Sequence, residues 1–142
     1  MDRWAEEPDG GLDSVFDAIR SELPQTRAWI VANKALADRY GLPLVAYEGG
    51  QHLTTFRGGK SDARFRAANR DPRMGAALRT LVDDWKDAGG QLFVAFEYAE
   101  QSARGGFWGM KEHQRDDAAP KWQAMRALRD APCWWNRCNQ SP

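Results

Sequence analysis

Cysteine and histidine are scarce, with two of each in the chain. Cys133 and Cys138 lie near the C-terminus, close enough together to close a small loop. One pair makes no disulfide framework, and two sulfurs make no zinc site. His52 follows Glu48 by four positions, but His113 sits in a remote charged stretch with no third ligand spaced for it. Neither a metal nor a cofactor is expected. Net charge is also lacking: 20 basic and 20 acidic residues cancel. No global field therefore points to nucleic acid or an anionic membrane. No apolar run approaches the roughly 18 residues of a membrane span. The start, Met1-Asp2-Arg3-Trp4-Ala5-Glu6-Glu7-Pro8, has neither the basic region nor the apolar core of a signal peptide. A cytoplasmic protein is the expectation for this chain taken by itself.

What is present is enough apolar material for a core, 42% hydrophobic and 11% aromatic residues. At this length a single domain buries about two-thirds of its unfolded surface. Residues 1–11 read as a polar lead-in, 12–132 as one α/β domain, and 133–142 as a tail carrying the cysteines and Trp134-Trp135. Within the domain, Leu12, Val15, Phe16, Ile19 and Leu23 recur at helical spacing, and Pro24 is expected to stop that helix. Thr26 then caps a second one, with Trp29, Leu36 and Tyr40 inward and Gly41 as terminator. A short helical piece is expected over residues 63–68. Asp71-Pro72 starts a helix whose inward stripe is Met74, Leu78, Leu81, Val82 and Trp85, ended by Gly89-Gly90. Pro120 opens a last helix with Trp122, Met125 and Leu128 inward.

Two short apolar runs, residues 44–47 and 92–96, lack alternation, as strands covered on both faces do. Each ends on a carboxylate. Val45-Ala46-Tyr47-Glu48 and Val94-Ala95-Phe96-Glu97 repeat one unit of helix, glycine turn, strand and carboxylate. Repetition of that unit is the logic of a (β/α) barrel, and ligands bind at the carboxyl ends of such strands. Glu48 is followed by Gly49-Gly50, which lets the backbone turn and approach a ligand, and then by Gln51 and His52. The competing reading makes Glu48 a strand-ending residue that caps a helix or pairs with an arginine.

Tyr47-Glu48-Gly49-Gly50-Gln51-His52-Leu53 resembles a motif near the C-terminus of a group of bacterial TIM-barrel proteins related to glycoside hydrolases. Ala68-Asn69-Arg70-Asp71-Pro72-Arg73-Met74 and Gly106-Phe107-Trp108-Gly109-Met110 are similar to the next two landmarks of that group, in the same order. The resemblance implies parallel βα units like the last strands and helices of a (β/α)8 barrel, incomplete on their own. It also implies that Glu48 takes the place of the nucleophile. The acid/base of that group comes from a strand this chain does not contain, and Glu97 is the candidate substitute.

The expectation is thus a carbohydrate-binding or glycoside-hydrolase-like protein with incomplete catalytic machinery. Glu48 and Glu97 are its catalytic candidates, and Gln51, His52, Tyr98 and Trp108 its substrate-binding ones. Paired carboxyl groups suit glycoside hydrolysis, in which one protonates the leaving oxygen while the other attacks or activates water. Trp108, in a glycine-rich loop, is placed either to stack on a sugar ring or to pack as a lid. The alternative class is a non-catalytic interaction or assembly protein. Arg57, Lys60, Arg64, Arg66, Arg70, Arg73 and Arg79, interleaved with Phe56 and Phe65, suit single-stranded nucleic acid. A solvated face balanced by the acidic N-terminal region explains them better, so nucleic acid is not the expected partner. Two strands leave unpaired edges and one uncovered face, with Leu44, Ala46, Phe93 and Ala95 set toward water. A homodimer or higher homo-oligomer is expected, with Trp134-Trp135 in the contact. The alternative is that residues 53–60 or 98–110 add strands within one chain.

Overall fold

The computed structural model describes residues 11–55, 61–100 and 106–135. Residues 1–10 of the lead-in, residues 56–60 of the basic segment, residues 101–105 of the long loop, and Cys138 lie outside them. In chain order the elements are α1 (Leu12–Arg39), β1 (Ala46–Gly49), α2 (Asp62–Arg70), α3 (Pro72–Asp87), β2 (Phe93–Ala95) and α4 (Pro120–Arg129). About 55% of the described residues are helical, beside two short parallel strands. The molecule is therefore a mostly helical small domain. The expected α/β fold, a partial (β/α)8 barrel, is wrong.

The reason lies in what carries the core. One buried cluster joins Val15 and Phe16 of α1, Phe65 and Ala68 of α2, Met74 of α3, and Phe107. The second joins Leu78 and Val82 of α3, Leu128 of α4 and Met110, with Phe93 and Ala95 packed against it. Helices supply most of both clusters, and the strands contribute one face of one of them. Gly75 lets α3 and α4 meet, because a Cβ there would stand 2.6 Å from the Pro120 carbonyl oxygen.

Pro24 does not stop the first helix. It sits inside a continuous 28-residue α1, since one lost N–H and a local clash are outweighed by packing on both sides. That continuity sets the phase downstream of Pro24. Ile30 is buried, and Trp29, Leu36 and Tyr40, expected inward, are exposed. The Arg27 guanidinium bonds Asp84 and ties α1 to α3. Asp71 caps α3 as its sequence predicts, accepting from the Arg73 backbone N–H at 2.8 Å. The Arg73 side chain also bonds Asp71, and this holds the carboxyl below the usual range.

The two strands are parallel, with Ala46 opposite Phe93 and Gly49 opposite Ala95. Backbone bonds from Gln91 to Leu44 and from Phe96 to Gly49 extend the ladder at both ends. Three steps along β1 match two along β2, so the register is irregular between Ala46 and Gly49. Simple alternation would place Glu48 beside Ala46. The irregularity puts Gly49 there and leaves Glu48 exposed.

Coverage of the sheet also differs from expectation. Ala46, Phe93 and Ala95 are half-buried, whereas Val45, Tyr47, Leu92, Val94 and Phe96 are exposed. One face is covered by helices and the other is open, the reverse of the face expected to be uncovered. Among the described residues the long loops add isolated bridges, Thr54 with Gly106 and Ala99 with Lys111, and no third strand. No helix among the described residues is long and apolar enough to cross a membrane.

Candidate functional site

β1 delivers its carboxylate and the following Gly49-Gly50 turn to one end of the sheet. Gly50 has φ 147°, a conformation that an L side chain rarely adopts, and a Cβ there would press on the Phe96 carbonyl. The Phe96–Glu97 peptide beside it is cis. Around this crossing lies a cleft of about 450 Å³ lined by Glu48, Gly49, Gly50, Gln51, His52, Phe96 and Trp108. Four of the six residues expected at the site therefore converge: Glu48, Gln51, His52 and Trp108.

The cleft is braced by polar contacts. Trp108 Nε1 donates to His52 Nδ1 at 3.3 Å, and the two rings are tilted with centroids 5.8 Å apart. The Phe96 ring is also tilted to Trp108, with centroids 6.1 Å apart. Gln51 Nε2 donates to the Phe107 carbonyl, and its Oε1 accepts from the Leu53 N–H at 2.5 Å. Gln51 is thus committed to holding the loop that carries Trp108. Glu48 and His52 remain exposed polar side chains on the wall.

Glu97 and Tyr98 do not line the cleft. Glu97 is half-buried and its carboxyl meets that of Glu100. Burial, and then the neighbouring Glu97, pushes the Glu100 carboxyl up from the ordinary range. Tyr98 stacks edge-on against Trp122 at 5.4 Å. The amine of Lys111 lies 4.3 Å over the Trp122 ring and bonds Asp117 at 2.6 Å. This corner is structural packing around a buried cation.

Sequence reasoning missed two residues. Phe96, strand core by its sequence, stands at the cleft wall because its face of the sheet is open. Lys121, 1% exposed, reaches the backbone of the loop that carries Trp108 and donates to the carbonyls of Phe107 at 2.9 Å and Trp108 at 3.1 Å. A signal for it was present: Lys121, Ala124 and Leu128 share one helical stripe, and all three are buried.

Three arginines of the basic segment are held in ion pairs among the described residues. Arg66 pairs with Asp62, Arg70 with Glu112 and Asp116, and Arg73 with Asp71 and Asp13. Phe65 is buried edge-on to Phe107. Among the described residues no group of three or more His, Cys, Asp or Glu is placed to hold a metal. Cys133 is disulfide-bonded, and its partner lies outside the described residues. No protein family, curated protein or solved structure matches the chain.

Proposed function

We propose that the cleft binds carbohydrate without turning it over. The observation that carries this reading is the pairing of aromatic and polar walls. The Trp108 and Phe96 rings stand beside Glu48 and His52 in one open cleft. Sugars present an apolar C–H face and a rim of hydroxyls, so an indole plus hydrogen-bonding side chains is a chemical match. Glycoside hydrolysis needs two carboxyl groups across the scissile bond. Glu48 is the one carboxylate on the described wall, while Glu97 is turned to Glu100. Binding is therefore favoured over catalysis, and the relation to barrel glycoside hydrolases suggested by the Tyr47–Leu53 motif enters only as a source of that ligand class.

Calorimetry with a panel of methyl glycosides and short oligosaccharides tests the reading. Wild type should bind at least one of them. Trp108→Ala should weaken that binding about tenfold or more, a loss of about 1.4 kcal/mol, and Glu48→Gln should weaken it less. Wild type that binds none, or a Trp108→Ala variant that binds as well, would sink it.

The open sheet face favours a second reading that is compatible with the first, assembly through a second copy of the chain. Leu92, Val94 and Phe96 run beside Val45 and Tyr47, and Tyr47 is 83% exposed. These five side chains carry no charge, so the patch is complementary to itself and offers nothing to a charge-selected partner. An isologous pair suits such a surface, and a standard interface takes about 800 Å² from each partner. Both strands also have a free edge among the described residues. Light scattering at micromolar concentration should give twice the 16.0 kDa of one chain, and Tyr47→Lys should return it to the single mass. Tyr47 is the site of choice because Phe96 serves the cleft as well. A wild-type particle of one chain's mass would overturn the assembly reading and leave the cleft untouched.

A further inference from the structure

Trp108 is fixed at two levels. Its indole edge is held by His52, and its backbone is held by Lys121, which bonds the carbonyls of both Phe107 and Trp108. The Phe107 carbonyl also accepts from Gln51, so the turn after β1, the Trp108 loop and α4 meet at one oxygen. A buried lysine is a costly way to satisfy two carbonyls, since an amide or a water would do so without carrying charge into the interior. Its reach from α4 to the Trp108 loop gives that cost a purpose. We propose that Lys121 is the positioning residue of the cleft, setting the Phe107–Trp108 backbone so that the indole stands over bound ligand, and that its protonation governs how firmly that platform is held. The proposal rests on the carbohydrate reading for the identity of the ligand, but not for the behaviour of Trp108.

Burial pulls the Lys121 amine down to about 7, against the opposing charge of Glu100. Below that point it is an ammonium with three donors and charge-assisted bonds to both carbonyls. Above it the amine is neutral, has two donors, and holds the carbonyls less strongly. The charged groups around it are accounted for on each side. Glu100 faces it from the segment after β2 and is itself bonded to Glu97. α2 and α3 direct Arg70 to Glu112 and Asp116, and Arg73 to Asp71 and Asp13. His52, from the loop after β1, touches Trp108 itself. Its ring is in contact with the indole that is followed, so the test has to remove it.

The protein is prepared with 5-fluorotryptophan, and the Trp108 fluorine resonance is assigned with Trp108→Phe. It is then followed from mildly acidic to mildly alkaline pH. A titration with its midpoint near 7 should persist in His52→Gln and vanish in Lys121→Met. In Glu100→Gln the midpoint should move down, because the carboxylate that favours the ammonium has gone. Affinity for whichever methyl glycoside binds best should weaken across the same interval. A Trp108 signal that does not titrate, or one that titrates unchanged in Lys121→Met, overturns the proposal. If Lys121→Met does not fold, Glu100→Gln decides alone, and an unmoved midpoint overturns it. Absence of sugar binding at every pH removes the carbohydrate reading and leaves the fluorine titration to decide the role of Lys121.

Discussion

Unfolded by denaturant at a series of pH values, the wild-type chain should gain stability between pH 7 and pH 10.5, and Lys121→Met should not. The amine has its ordinary value, 10.5, in the unfolded chain and about 7 in the fold. Between those values the unfolded chain holds a proton that the folded one does not. Stability then rises with pH by about 1.4 kcal/mol per unit. Over the interval this reaches on the order of 5 kcal/mol. Below pH 7 both states are protonated and the full cost of burying the ammonium is present; above 10.5 both are neutral and the curve is flat. Other shifted groups act elsewhere. Asp71 and Asp117 are held low by Arg73 and Lys111 and act on the acid side of 3.8. The Glu100 shift begins at 4.5, and the Lys111 shift begins at 10.5 and extends above it. Lys121→Met leaves two carbonyls without their donor, so its absolute stability is a poor readout. The difference in slope is the readout, and parallel curves for the two proteins across this window would refute the assignment.

Local signals in the sequence were read well where one residue type decides the outcome. Asp71-Pro72 announces α3 because a carboxylate cap and a proline at the first helical position satisfy the same chain end. Of the apolar stripe, Met74, Leu78, Val82 and Trp85 are buried as their spacing requires, and Leu81 is half-buried. Parallel pairing of the two echoing runs follows from the units around them, and it too was legible. Pro24 misled because its penalty is local, whereas the packing that overrides it comes from α2 and α3, distant in sequence. The runs 44–47 and 92–96 misled because continuous apolar character states a strand's affinity for cover, not whether cover exists. Here it exists on one side. The site was half legible for a related reason. Glu48, Gln51, His52 and Trp108 sit beside glycines that announce turns. The direction of Glu97 depends on Glu100, and that of Lys121 on carbonyls with no sequence signature.

Phe107→Ala should be the costliest truncation in the chain, about 3–5 kcal/mol. The ring is 1% exposed and meets Phe65 edge-on at 6.0 Å. It belongs to the cluster of Val15, Phe16, Ala68 and Met74, where α1, α2 and α3 come together. A domain of this kind is stable by about 5–15 kcal/mol in all, so the loss is roughly a fifth of the total or more. In thermal unfolding it corresponds to a fall on the order of 10 °C or more. Relaxation is limited on every side. The backbone of the same residue is held by Gln51 and Lys121, so the loop cannot simply follow the cavity inward. What strain it does transmit reaches Trp108, the next residue, and the variant should lose ligand affinity at temperatures where it is still folded. Val15→Ala, in the same cluster but remote from the cleft residues in the chain, supplies the control: a smaller loss of stability with ligand affinity retained. A Phe107→Ala protein that unfolds within about 1 kcal/mol of wild type would fall below the range for aromatic core truncations, and would show that this ring does not organise the core.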